Sequence, residues 1–305
     1  MSPNANPSQA VLTGARQTMM AWSKVIESEA EIPEIYRPAL EPLLAASPNF
    51  PHLVLAPPLD KFLRRTTEKL VCDSPQAMHI LESSKGQVLR KSYPYQNIVM
   101  LEVGVVLLNS WISIHGFTSE GEVGRSTIEF NTTSDRYYAA FLKKIRPAAE
   151  ENSASQLKAE KDKFDYLSDP NFKFMNYARN SLIAGETVLQ SLLQPEIRQP
   201  VWKIFGWTYY RVVSLAHLAI LTDKELILIR DDERAKGIRE SRHGGVWQYI
   251  PLGSIRSVAI EAGEAERLHL SIGLSSGETL KKIFAAASKS ELERLRNELQ
   301  ARLGK

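Results

Sequence analysis

The second half of this 305-residue chain repeats the order of the first, and no other feature restricts its possible folds so strongly. At an offset of 157, Pro94 falls on Pro251, Ile98 on Ile255, Trp111 on Leu268, Ser113 on Leu270 and Gly116 on Gly273 without a gap. The turn that follows matches with one residue of slippage, Ser119-Glu120-Gly121-Glu122 lying over Ser275-Ser276-Gly277-Glu278. Upstream, Val71-Cys72-Asp73-Ser74 aligns with Ile220-Leu221-Thr222-Asp223 at an offset of 149, which puts the eight-residue difference in a loop, where length changes cost little.

Each copy reads as a series of strands followed by one helix. In the first, short strands at 69–72 and 77–81 flank the turn cluster Asp73-Ser74-Pro75-Gln76, and β-rich stretches cover 95–117 and 125–130. Tyr137, Tyr138, Phe141, Leu142 and Ile145 then fall at helical spacing over 134–145. The second copy offers a strand at 186–193, a broken one at 202–215, a hairpin of 218–221 with 226–229, and strands at 255–260 and 267–274. Its closing helix spans 290–303, with Leu292, Leu295, Leu299 and Leu303 forming an apolar stripe that needs a hydrophobic seat. Leu221 and 226–229 are apolar on both parities, as in a strand covered on both faces, whereas Leu268, Leu270 and Ile272 alternate with polar or small residues.

Around these copies, Leu12, Ala15, Met19, Trp22 and Ile26 predict an amphipathic helix over 9–28, and seven prolines between Pro33 and Pro58 predict a connector with at most short helical pieces. Residues 147–163 carry Leu157 as their only large apolar side chain and read as exposed helix or linker. Asp169-Pro170 and Gly185 bracket a helix over 170–184. The division expected is 1–51 for the helix and connector, 52–146 for the first β unit, 147–184 for a charged helical linker and 185–305 for the second unit. A net charge of +3 is too small to mark a nucleic-acid binder, and the loop 231–245 balances its own charges. The first thirty residues lack a secretory signal, Cys72 has no cysteine to pair with, and no apolar stretch reaches the ~18 residues of a membrane span, which together predict a cytoplasmic protein.

The segment Leu221-Thr222-Asp223-Lys224-Glu225-Leu226-Ile227-Leu228-Ile229-Arg230, then a charged loop, Tyr249-Ile250-Pro251-Leu252-Gly253-Ser254-Ile255 and a C-terminal amphipathic helix, resembles the bacterial pleckstrin-homology-like (PH-like) domains. The resemblance runs over about 184–302, and is weaker over 52–146, where Asp73-Ser74-Pro75 replaces the Thr-Asp turn. It implies a mixed α+β protein of two tandem, strongly bent, seven-stranded antiparallel barrels, each plugged by its own last helix. A fold alone does not give a function.

The search for chemistry is largely negative. There is no Gly-x-Ser-x-Gly, no Gly-x-Gly-x-x-Gly, and Gly121-Glu122-Val123-Gly124-Arg125-Ser126-Thr127 lacks the Gly-Lys-Ser/Thr ending of a phosphate loop. The six histidines never stand at i, i+4 or beside a cysteine, so neither a metal, a cofactor nor an enzyme is expected. Lys61, Arg64, Arg65 and Lys69 are the candidate anion-binding residues, although Thr66 stands where the phosphoinositide motif of eukaryotic PH domains has its last arginine. Trp202, Phe205, Trp207 and Tyr209 cluster either as barrel core or as a partner surface, since large aromatics supply much of the energy at interfaces. The reading is a non-enzymatic protein-binding or scaffold protein, with another protein or a second copy as partner; the alternative is peripheral binding to anionic lipid headgroups through the first-half basic cluster.

Overall fold

The computed structural model describes residues 22–61, 64–148, 154–205, 207–232 and 244–303, without the side chains at 60, 61, 64, 65, 203 and 204. The expected helix over 9–28 falls outside these residues as far as 21. Its last turn is corrected: β1 (Lys24–Ile26) is a strand, pairing with β2 (Leu53–Ala56), because Val25 and Ile26 favour extended backbone and Ile26 buries beside Leu53. Between them, helix α1 (Arg37–Ala45) is the longest helical piece of the proline-rich connector, with Pro42 inside it. The first sheet then adds β5 (Lys69–Asp73), β6 (Ala77–Ser84) and β7 (Gln87–Pro94) in the order β1-β2-β5-β6-β7, while β3 (Asp60–Lys61) and β4 (Arg64–Arg65) form a small hairpin of their own. Three further strands, β8 (Ile98–Val106), β9 (Asn109–Phe117) and β10 (Val123–Asn131), precede the closing helix α2 (Ala139–Ile145).

The second copy follows the same plan. It contains β11 (Val188–Gln194), an inserted hairpin of β12 (Ile197–Ile204) and β13 (Trp207–Ser214), and β14 (His217–Thr222), β15 (Glu225–Arg230) and β16 (Gly245–Pro251). Then come β17 (Ile255–Ala262), β18 (Arg267–Leu274), β19 (Thr279–Ala285) and the closing helix α5 (Lys289–Leu303). Setting aside β1 and the two small hairpins, β3–β4 and β12–β13, each copy has seven strands and a final helix in one order. The strands do not close into barrels by hydrogen bonding among the described residues. Instead, β8 pairs with β16, Val103 opposite Trp247 and Leu101 opposite Tyr249, so that a seven-stranded sheet β10-β9-β8-β16-β15-β14-β11 runs through both copies. This edge pairing satisfies two rows of backbone groups that separate units would leave open.

Ladder register refines the sequence alignment. Pro94 and Ile98 do correspond to Pro251 and Ile255, but the β17–β18 connection is one residue longer than the β8–β9 connection, which moves Trp111 onto His269 and Gly116 onto Leu274. Both copies interrupt this ladder at one place, between Ile98 and Met100 and between Ile255 and Ser257, with Gly116 and Gly273 lying across from the irregularity. A methyl on Gly116 would sit 2.4 Å from the Asn97 carbonyl oxygen and 2.9 Å from the Ile98 Cα, whereas on Gly273 it meets the Ser257 hydroxyl. Gly116→Ala is therefore expected to cost about 1–3 kcal/mol and Gly273→Ala markedly less, because a hydroxyl can turn away and backbone cannot; urea unfolding of the two variants checks the order.

Burial explains the doubly apolar strands. One face of the shared sheet, with Leu218, Ile220, Ile227 and Ile229, packs in a core that also holds Phe141, Phe164, Phe174 and Ile114. The opposite face, with Ala219, Leu221, Leu226 and Leu228, meets Leu292, Leu295 and Leu299 of α5. The linking region is α3 (Ala154–Asp162) and α4 (Ser168–Ser181), and it is docked rather than exposed throughout: Glu160 is buried and its Oε2 accepts from the Val188 amide at 2.6 Å. The broken strand expected over 202–215 is two strands of a hairpin.

Candidate functional site

The 197–214 hairpin is where the aromatic sequence meets solvent. Among the described residues its strands pair only with each other, and Trp202 faces Tyr209 across the ladder with ring centroids 5.4 Å apart, edge to face. Trp207 shares that side of the ribbon by strand alternation. Phe205 occupies the turn at φ +48°, a costly backbone for a phenylalanine, and is 98% exposed; Trp207 is 77% exposed, and Val201, Trp202, Tyr209 and Tyr210 are each more than half exposed. The four aromatic candidates are thus not core. Trp202, Trp207 and Tyr209 share one face of the ribbon with Phe205 at its turn, while Tyr210 stands on the other face, so both faces and the tip expose aromatic surface. A free two-stranded ribbon is only marginally stable, so the ribbon gains from a surface that covers it. Arg211 is exposed on this ribbon, and Arg198 pairs with Glu196.

A polar cleft of about 300 Å³ lies at the root of this hairpin, lined by Ser214, Leu215, His217, Arg230, Gln248 and Lys281 among others. A second cleft of about 300 Å³ lies at the root of the first-half hairpin, lined by Thr66, Thr67, Lys69, Glu82, Lys91 and Thr127. Ladder register matches these residues one to one, at an offset of 148 in the hairpin rather than the 149 of the sequence alignment: Lys69 pairs with Glu82 as His217 pairs with Arg230, and Thr127 pairs with Ser113 as Lys281 pairs with Ser271. Glu129 in the first cleft corresponds in the same way to Ile283 in the second. Both carboxylates of the first cleft are therefore replaced, one by arginine and one by isoleucine. The cations around the second are Arg230, Lys281 and Lys282, with Arg230 Nη2 3.9 Å from Glu102 Oε2 at the cleft floor.

This comparison locates the basic candidates. Lys69 is committed to Glu82, with Nζ 3.0 Å from Oε2, and donates to Thr67 at 2.9 Å. Burial works to raise the Glu82 carboxyl, but hydrogen bonds from Thr67 and Lys69 outweigh it and hold it below its ordinary value. Lys61, Arg64 and Arg65 stand on the β3–β4 ladder, and their side chains lie outside the description. In the second cleft His217 donates from Nδ1 to the Leu215 carbonyl at 3.0 Å, and Nε2 is buried without a partner. Burial, opposed by that hydrogen bond and helped by Lys282, pushes its pKa down to about 4, so the ring is neutral at physiological pH. The cleft floor is a bonded network: Gln248 donates to Glu102 at 3.0 Å, Trp111 donates to the other Glu102 oxygen at 3.0 Å, and Lys282 donates to Gln248 at 3.1 Å.

Sequence reasoning missed Arg230, Lys281 and Lys282. The doublet Lys281-Lys282 inside a strand was the available signal, and the strand itself went unread. Cys72 is buried, and burial followed by Asp73 raises its thiol to about 12, which leaves it an inert apolar side chain. Among the described residues no group of three or more histidine, cysteine or acidic side chains is placed to hold a metal ion, and no helix is long and apolar enough to cross a membrane. No protein-family model matches this chain, and no curated protein matches it in sequence.

Proposed function

We propose that this chain is a non-catalytic docking protein, two copies of a PH-like unit joined through a common sheet, that holds a protein partner through the 197–214 hairpin. The seven strands and closing helix of each copy support the PH-like reading. The observation that carries the function is the exposure of Trp202, Phe205, Trp207 and Tyr209 on a ribbon with no other strand beside it. Residues of these types at a centre of contact commonly contribute 2 kcal/mol or more each, about a thirtyfold change in affinity. Changing Trp202, Trp207 and Tyr209 together to alanine is expected to leave the melting temperature nearly unchanged, because these side chains pack on little else, and to abolish retention of partner or of a second copy in light scattering and cross-linking. A wild-type chain that stays monomeric and retains nothing, or a variant that binds as well as wild type, defeats the reading.

A second reading, anionic headgroup binding, is favoured by one specific feature: where the first cleft has its two lining carboxylates the second has arginine and isoleucine, and Arg230, Lys281 and Lys282 stand there against the single floor carboxylate Glu102 at the root of the aromatic hairpin. This moves the anion candidate from Lys61, Arg64, Arg65 and Lys69 to Arg230, Lys281 and Lys282. Lys281→Glu is then expected to weaken co-sedimentation with anionic vesicles, and the wild-type attraction to fall as salt rises. Equal pelleting with neutral vesicles ends this reading and leaves the hairpin reading standing.

A further inference from the structure

The two copies meet at a buried ionic cluster that the docking function does not use. Arg146, just beyond α2, donates from Nε to both Glu225 oxygens at 3.0 and 3.2 Å and from Nη2 to Glu225 and to the Ser181 carbonyl, the latter at 2.9 Å. Its guanidinium lies 3.7 Å over the Tyr249 ring. Glu186 is the second carboxylate of the cluster: Oε2 accepts from the Ile183 amide at 2.9 Å, while Oε1 lies 3.6 Å from Arg146 and accepts no hydrogen bond. The side chains of Arg146, Glu186 and Glu225 are only 12%, 1% and 7% exposed. One guanidinium thus faces two carboxyl groups in a buried seam, and its hydrogen bonds to carboxylate go to Glu225.

We propose that this seam is a proton-held latch: Glu186 carries a proton at neutral pH, which balances the cluster at one cation and one anion, and losing that proton loosens the contact between α2 and the β14–β16 part of the shared sheet. A bare second carboxylate there would be an unpaired buried charge, which is strongly unfavourable. The groups facing Glu186 are Arg146 from the end of α2, Glu225 from β15, the Tyr249 phenol from β16 and the Ile183 amide beyond α4. Burial raises the Tyr249 phenol to about 12, so it stays neutral over the range concerned. Burial first, then the charge of Glu225 and its carboxylate as acceptor for the Glu186 proton, raise Glu186 to about 8, against 4.5 for the same group when unperturbed, while the Ile183 amide and Arg146 pull the other way.

The direction follows from proton counting. Between pH 4.5 and about 8 Glu186 holds a proton in the folded chain that it has lost in the unfolded one, so its contribution to stability falls as pH rises through that window and stops falling above it. Urea unfolding of the full chain at pH 6, 7, 8 and 9 tests this against Glu186→Gln, whose amide is neutral throughout. The unfolding constant of wild type relative to the variant is expected to rise close to tenfold per pH unit from 6 towards 8 and then level off. Parallel pH curves for the two proteins overturn the proposal. Should the variant not fold, infrared spectroscopy on wild type decides: the carbonyl band of a protonated carboxyl must be present at neutral pH and vanish with a midpoint near 8, and its absence at neutral pH overturns the latch equally.

Discussion

Arg146→Ala is expected to destabilise the whole chain by about 3–5 kcal/mol, the cost of stranding a buried carboxylate after its partner is removed. The loss has three parts that act together. Glu225 keeps its buried position and loses its bidentate donor, the Ser181 carbonyl loses a charged donor, and the Tyr249 ring loses the cation stacked on it. A denaturation midpoint at pH 7 measures the sum. The double change Arg146→Met with Glu225→Gln separates the terms, because it keeps the packed stem and removes both charges. It is expected to recover much of the loss, as buried ion pairs replaced by neutral groups of similar size often are nearly neutral in stability. A single-variant loss below about 1 kcal/mol contradicts the assignment of Arg146 as the link between the copies.

Leu295→Ala is expected to cost about 2–5 kcal/mol. Leu295 is 1% exposed between Leu292 and Leu299, one helical turn to either side, and all three lie in the core that includes Leu221, Leu228 and Phe284. The cavity left there is bounded by the shared sheet and cannot collapse without moving it. Arg296→Ala, one residue along the same helix, removes a side chain that bonds only its neighbour Asn297 and is expected to stay within about 0.5 kcal/mol. Guanidinium unfolding of both variants checks the contrast.

These particulars show what the sequence could and could not convey. The closing helices were legible because Leu292, Leu295 and Leu299 need one seat and their spacing says so. The hairpin of 218–221 with 226–229 was legible because apolar residues on both parities flank a turn cluster. Strands β7 and β19 are masked in the sequence: Gln87-Val88-Leu89-Arg90-Lys91 and Thr279-Leu280-Lys281-Lys282 carry long charged side chains whose stems cover the sheet while their heads reach solvent. The pairing of β8 with β16 was invisible for a different reason, since edge pairing is made by backbone groups that every residue shares. The aromatic cluster left two readings open because large rings serve a core and an interface equally well, and only position separates them. The cation-rich cleft emerges from comparing equivalent ladder positions, which requires the register that the repeat alone misplaces by one residue in the 69–82 hairpin and from Trp111 onwards.

Native-state hydrogen exchange on the full chain probes the joining of two copies through one sheet most directly. The amides of β8 and β9 in the first copy and of β14, β15 and β16 in the second are expected to exchange with one common opening free energy, and Leu295→Ala is expected to lower protection in all of them by the same amount. Two distinct levels of protection, with β8 and β9 untouched by a change in the second copy's helix, would show the copies to be independent and contradict the shared sheet.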